Sequence, residues 1–308
     1  MKILFTGATG VVGRAALPHL SVAGHDVIAV YRSETDRAWL EGLGARPVAV
    51  DLFDPDAVGS VVSGVDTVAH FATSIPSQND MRKRASWDTN DRLRSTATAY
   101  LADAALDHGV RRFIQESISF VYADGGEKWL DESAPIEPAW DVLDSALTAE
   151  EHVARFRSGG GAGVVLRMAR LYGPGEVSGE FIEAVRNRAV PIIGTGANYV
   201  SSLHVDDAGT AVVAALTAPD GVFNVADDEP MRSADNLRAL SEVLGAPPPR
   251  RIPSIMARIA LGRAARLLTI SQRVSNRAFR EVTGWTPEHA NARQGWGASV
   301  RQNRDERP

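Results

Sequence analysis

The chain has 308 residues, no cysteine, 33 Lys+Arg against 38 Asp+Glu and 44% hydrophobic residues, the balance of a soluble globular protein with a large core. That composition excludes a disordered chain, a collagen-like repeat and a disulfide scaffold, and a net charge of −5 gives no general attraction to nucleic acid or to anionic lipid, so neither is an expected partner. Only Lys2, Lys83 and Lys128 are lysines, so no chemical step beyond residue 128 can use one.

The opening MKILFTGATG has one basic residue and an apolar run of only three before Thr6-Gly7. This is too little for a signal peptide, and no apolar stretch approaches the ~20 residues of a membrane helix, so a cytoplasmic protein is expected. From there, short apolar runs alternate with longer amphipathic stretches. Strands are predicted over Lys2–Thr6, Asp26–Tyr31, Arg46–Val50, Asp66–Phe71, Arg112–Glu116 and Gly163–Arg167. Helices are predicted near 11–23, 35–43, 54–63, 86–108 and 144–157. The alternation predicts an α/β fold: a Rossmann-type, doubly wound parallel sheet with its ligand crevice at the carboxyl ends of the strands.

After Arg167 the rhythm breaks. A turn at Tyr172-Gly173-Pro174-Gly175 precedes a helix near 179–189, an irregular stretch to 203, a helix from Asp206 to Leu216, a strand Val222–Val225, a helix near 233–244 and helical segments to the end. The expected division is a dinucleotide-binding domain over 1–169, with 204–226 returning to it. Residues 170–203 and 227–308 then form a small, mostly helical lobe that selects the substrate.

The first strand runs into Thr6-Gly7-Ala8-Thr9-Gly10-Val11-Val12-Gly13, a G-x-x-G-x-x-G loop that opens a helix. Glycines permit the tight turn and the close approach to a pyrophosphate, and Gly7, Thr9, Gly10, Val11, Val12 and Gly13 are the expected contacts. The second strand ends in Tyr31-Arg32-Ser33, with no acidic residue for a ribose 2′-OH. An arginine beside a hydroxyl suits a 2′-phosphate, so NADP is expected, with NAD as the alternative. Asp51 and Leu52 are placed beside the adenine, and Phe71, Ala72 and Thr73 beside the ribose and phosphates.

At this point the sequence resembles the extended short-chain dehydrogenase/reductase family, the NAD(P)-dependent epimerase/dehydratase group that includes UDP-galactose epimerase. Besides TGATGVVG at 6–13, the landmarks are DL at 51–52, HFAT at 70–73, GVRRFIQES at 109–117, VVLRMARLYGPG at 164–175, LHVDDAGTAVVAAL at 203–216 and GVFNVADDEP at 221–230. The resemblance implies a Ser or Thr after the fifth strand and a Tyr-x-x-x-Lys pair on the next helix, which together move a proton to or from the substrate oxygen. Its hydroxyl position falls on Ile118, its tyrosine on Val142 and its lysine on Ala146, with Ser145 and Glu150 keeping the frame.

Another group must then handle the proton in an enzyme, and Tyr122 and Ser117, just beyond the fifth strand, are the candidates. Ser117 is equally a cofactor contact. Asn90 and Arg94 share the register of the family's helix asparagine, and Arg170 is a candidate anion ligand. Trp87, Trp129 and Trp140 lie in segments that border the cleft and tilt the substrate toward an apolar or aromatic small molecule. Val200 stands where nucleotide-sugar enzymes of the group carry a diphosphate-binding arginine.

No metal site is expected. The loop Asp124–Glu127 is expected to be mobile over the site. A homodimer through the 86–108 and 144–157 helices is expected, although Arg92, Arg94, Asp103 and Asp107 equally fit a solvated face. Three functions remain open: an atypical reductase, epimerase or dehydratase that avoids Tyr-x-x-x-Lys, a non-catalytic NAD(P)-binding sensor, and a non-redox cyclase or dehydratase.

Overall fold

The computed structural model describes residues 1–305 apart from 78–79, 175–176 and 263. Seven parallel strands form the central sheet: β1 (Lys2–Thr6), β2 (Asp26–Tyr31), β3 (Arg46–Ala49), β4 (Thr67–His70), β5 (Arg112–Ile118), β6 (Ala162–Met168) and β7 (Gly221–Val225). Their spatial order is β7-β6-β5-β4-β1-β2-β3, so the chain reverses direction across the sheet between β1 and β4. That reversal opens a crevice at the carboxyl ends of the strands. The late segment predicted as Val222–Val225 is thus the seventh strand of the main sheet.

Helices cover both faces because every central strand is apolar on both sides. On one face Ile3, Phe5 and Leu166 pack with α1 (Val11–Val22) and α8 (Val205–Ala215). These two helices approach closely at Gly209, where a Cβ would lie 2.5 Å from the Ala15 carbonyl oxygen. On the other face Leu4, Val68 and Phe113 pack with α3 (Pro55–Val62), α5 (Thr98–Asp107) and α6 (Asp144–Ser158). α6 is anchored by Val153 and Phe156, each worth ~1.5–3 kcal/mol of burial. Arg37–Gly42 forms α2.

The helix predicted over 86–108 is broken. A 3-10 turn at Arg84–Trp87 leads into α4 (Asp88–Arg92), one wide π turn at Leu93–Ala97, and then α5. The wide turn rotates the face of the helix, which carries Arg94 out of the solvated stripe and into the interior.

The later segments include α7 (Gly179–Arg186), α9 (Ser233–Leu244), α10 (Ser254–Leu261), α11 (Ala264–Thr269), α12 (Arg277–Thr283) and α13 (Ala292–Asp305). α7, α9 and α13 close on their own core of Tyr172, Ile182, Leu240 and Trp296. Two-strand pairs stitch this region together: Arg170–Tyr172 with Ser202–His204, Tyr199–Val200 with Met231–Arg232, Ile192–Ile193 with Arg251–Ile252, and Trp129–Leu130 with Arg273–Val274. The stretch read as irregular up to 203 therefore carries short strands, too brief for a period-2 pattern to reveal. Gly175 of the predicted turn lies outside the described residues. No described helix is long and apolar enough to cross a membrane.

Candidate functional site

The glycine loop is built for close approach. Gly7 takes φ +76°, and a Cβ on it would sit 2.4 Å from the Phe71 carbonyl oxygen; a Cβ on Gly13 would sit 2.3 Å from the Gly7 oxygen. Gly10 caps α1 without a side-chain bond, which leaves the N–H groups of the first turn free for an anion. A dinucleotide pyrophosphate fits this cradle. Arg14 braces the loop, its Nε donating to the Thr9 oxygen and its Nη2 to Asp36 at 2.6 Å.

At the end of β2, Tyr31 is buried and its hydroxyl is spent on Glu34. Ser33 caps the turn that follows, accepting from the Thr35 N–H. Arg32 is exposed and makes no hydrogen bond or ion pair, so its guanidinium is available to a phosphate. Asp51 accepts from the Phe53 N–H and shapes the turn above buried Leu52. Phe71 stacks on Phe5 beneath Gly7, with Ala72 and Thr73 at its rim.

His70 is sealed inside. Burial lowers its pKa to about 4, so the ring is neutral, its Nε2–H donating to the Leu93 oxygen while Nδ1 accepts from the Thr6 hydroxyl. It clamps β4 to the wide turn and takes no part in a proton relay.

Beyond β5 lies a buried polar network. Arg167 donates to both oxygens of Glu150, Nε at 2.9 Å and Nη2 at 2.6 Å, and Ser117 Oγ donates to the same carboxylate at 2.6 Å. Arg167 Nη1 donates to the Tyr122 hydroxyl at 2.9 Å, and that hydroxyl donates to Asn224 Oδ1 at 2.8 Å. Burial by itself would lower the Arg167 pKa; the bonds and charge of Glu150 override it and hold the guanidinium charged. Ser117 and Arg167 sit side by side in the β5–β6 register, and one helical face brings Glu150 over both.

This arrangement holds both candidate catalysts within the network. Tyr122 is 0% exposed, its oxygen is engaged on both sides, and burial raises its pKa further, so it has no path to a substrate. Ser117 is likewise fully buried and spent on Glu150. Arg94, expected to line substrate, is 2% exposed and donates to both oxygens of Glu116. Burial pushes the Glu116 pKa up, and Arg94 opposes the shift. Asn90 is buried, its Oδ1 accepting from the Ser74 N–H while its Nδ2 finds no partner.

The positions that the family resemblance gives to the proton relay belong to an apolar wall. Val142 and Ala146 have no exposed surface, and Val142 packs with Trp87, Trp140, Leu143, Ile118 and Phe120. Trp87 meets Trp140 edge to face at 5.9 Å. Outside Trp140, a cleft of about 810 Å³ opens between Pro138–Asp141 and helices α10 and α11, with Arg258 and Arg266 on its far side. Trp129 is 48% exposed and carries the Arg273 guanidinium at 4.1 Å over its ring. In the Asp124–Glu127 loop, Gly125 N–H donates to the Ser271 oxygen and Glu127 pairs with Arg232.

His204, Asp207 and His289 bring potential metal-ligand atoms within 4.8 Å of one another. Hydrogen bonds already hold His204 and Asp207 in place. His204 Nδ1 accepts from the Asp206 N–H and its Nε2–H donates to Ser299, while Asp207 accepts from the Glu288 and His289 N–H groups and from His289 Nδ1. The cluster fastens α13 and the preceding segment to the start of α8.

Residues 3–226 match the family described as NAD dependent epimerase/dehydratase. The chain belongs to that family. It is 36% identical, over 96% of its own length and 99% of the relative's, to a 3-diazoavenalumate denitrifying reductase from Streptomyces sp.. The fold superimposes with a TM-score of 0.81 on a dTDP-glucose 4,6-dehydratase from Streptomyces venezuelae solved with NAD, at 22% identity and covering 100% of this chain and 98% of that one. It also superimposes with a TM-score of 0.78 on a human epimerase family protein solved with NADPH, at 20% identity and covering 98% and 99%.

Sequence reasoning missed the Arg167–Glu150 pair, Asn224, and the wall residues Ile118 and Phe120 as one constellation. The available signal was Glu150, whose place in the family frame put it one turn from the absent lysine.

Proposed function

We propose that the protein is an NADP-dependent reductase that delivers hydride to a small electrophile whose reduction needs no proton from the protein, with a diazonium group as the reacting function. The carrying observation is that Val142 and Ala146, at the positions the resemblance assigns to the proton relay, are fully buried, Val142 within an apolar wall, while the glycine loop keeps the close approach a dinucleotide needs.

When bound, the reduced nicotinamide supplies hydride. A ketone that accepts hydride becomes an alkoxide and needs an acid beside it. A diazonium carbon that accepts hydride becomes C–H while its C–N bond breaks and the bonding pair leaves with dinitrogen: R–N₂⁺ and H⁻ give R–H and N₂. Atoms and charge close without a proton. The 36% identity to a reductase named for a diazo compound supports this substrate class.

In this reading Gly7, Gly10 and Gly13 hold the pyrophosphate, and Arg32 grips the 2′-phosphate that makes NADP the preferred dinucleotide. The Glu150–Arg167 pair fixes α6 against β5 and β6, so the wall of Ile118, Phe120, Trp140 and Val142 keeps its shape and excludes water from the reacting face. The test is NADPH oxidation in the presence of an arenediazonium carboxylate, measured above the enzyme-free rate, beside a panel of ketones and aldehydes. The expected result is one dinitrogen released per NADPH, with deuterium from 4-deuterated NADPH found on the carbon that carried nitrogen. Turnover of ketones without turnover of the diazonium compound overturns the reading, and cofactor binding without any consumption replaces it with a sensor.

A further inference from the structure

Among the described residues, Arg170 and Arg273 are the arginines that combine an Nε sealed from solvent with no hydrogen bond from any guanidinium nitrogen. Arg273 is held by two rings, Trp129 at 4.1 Å and Tyr199 at 5.0 Å. Arg170 has one, Phe120 at 5.4 Å, and no carboxylate pairs with it. It stands two residues past the carboxyl end of β6, where the crevice opens, and its one ring partner belongs to the apolar wall that carries Trp140 and Val142. Its Nη groups make no protein bond and are not among the sealed atoms, so they reach accessible space.

A guanidinium withdrawn from water without an anion is costly, and burial lowers the Arg170 pKa with nothing opposing it. The chain keeps this cost at the mouth of the crevice, while its other interior cations, Arg94 and Arg167, are each given a carboxylate. A planar guanidinium pairs best with a carboxylate, through two parallel N–H···O bonds. We infer that Arg170 is the anchor for a carboxylate on the substrate, and that the substrate is a flat aryl acid lying along Phe120 and Trp140 with its reacting carbon held away from the anchored end. This deepens the reductase reading and rests on it for the reacting group alone.

The experiment compares a cinnamate carrying a para diazonium group with its methyl ester, and in parallel titrates NADPH-loaded protein with 4-hydroxycinnamate and with its methyl ester. The wild type is expected to favour each acid over its ester by roughly 100-fold. Arg170→Gln should bring that ratio close to one by raising KM for the acid with kcat little changed, and Arg170→Lys should restore part of it. Because Arg170 has no hydrogen-bond or ion-pair partner in the protein, Arg170→Gln should melt no lower than the wild type, which separates anchoring from a structural role. An unchanged acid-to-ester ratio in Arg170→Gln, or no preference in the wild type, overturns the anchor. Absence of diazonium turnover overturns the reductase reading by itself, since the 4-hydroxycinnamate titration still reports on Arg170.

Discussion

The carboxyl ends of β1 and β2 and the carboxyl ends of β5 and β6 belong to one sheet yet are finished differently. At the first pair the chain leaves groups unspent: bare N–H groups at the start of α1 and an arginine with no partner. At the second pair a run of polar groups is spent on one another, from Ser117 through Glu150 and Arg167 to Tyr122 and Asn224 Oδ1, and Arg170, two residues past β6, stays unpaired. An unspent group is a binding site in waiting, whereas a closed network is scaffolding. In the proposed reading, the contrast separates a side kept for cofactor capture from a side where Val142 and Ala146 stand buried at the positions the resemblance gives to the proton relay.

The largest effect expected from breaking this contrast is on stability. Arg167→Met leaves the Glu150 carboxylate buried beside Ser117 and should cost about 3–5 kcal/mol in urea unfolding, with much of it recovered in the Arg167→Met/Glu150→Leu double variant. Near-wild-type stability for the single variant would mean that the network is not scaffolding. Next comes acid. The unfolded His70 takes up a proton near its ordinary pKa of 6.5, and the folded ring only near 4, so stability is full above 6.5 and falls as pH drops toward 4. This one group should account for about 3 kcal/mol across that window, and His70→Asn should flatten that part of the stability-pH curve.

On the cofactor side, Gly13→Val drives a side chain into the Gly7 and Ala8 carbonyls and should weaken NADPH binding roughly 100-fold in a fluorescence titration. The smallest effect is the most discriminating: Arg32→Ala should weaken NADPH by about 10-fold and leave NADH unchanged. Equal loss for both dinucleotides would remove Arg32 from 2′-phosphate recognition.

The sheet and the glycine loop were legible because their causes are local: apolar runs of strand length, and glycines spaced for a turn that no Cβ tolerates. β7 was visible as a short strand, but its place beside β6 depends on a pairing 57 residues away along the chain. Arg94 was read as lining substrate or equally as part of a solvated face, both from a continuous helix, and one wide turn at Leu93–Ala97 undoes that arithmetic. Glu150 was read as keeping the family's frame and Arg167 as the end of a strand, but a helix residue and a strand residue reveal their pairing only when the helix is laid on the sheet. Arg170 is the converse case: what sets it apart is a partner it lacks, and sequence has no mark for that.

The sealed phenol of Tyr122 has a chemical consequence for an enzyme that handles a diazonium compound. Such electrophiles couple to phenolates, amines and thiolates, so a catalyst built on an ionisable tyrosine and a lysine is open to labelling by its own substrate. Here the phenol is walled off and held protonated, the wall around Trp140 and Val142 contains no lysine, and the chain has no thiol at all. Intact mass after prolonged exposure to an arenediazonium salt should therefore show no azo adduct at Tyr122, while an unprotected tyrosine peptide in the same vessel turns yellow.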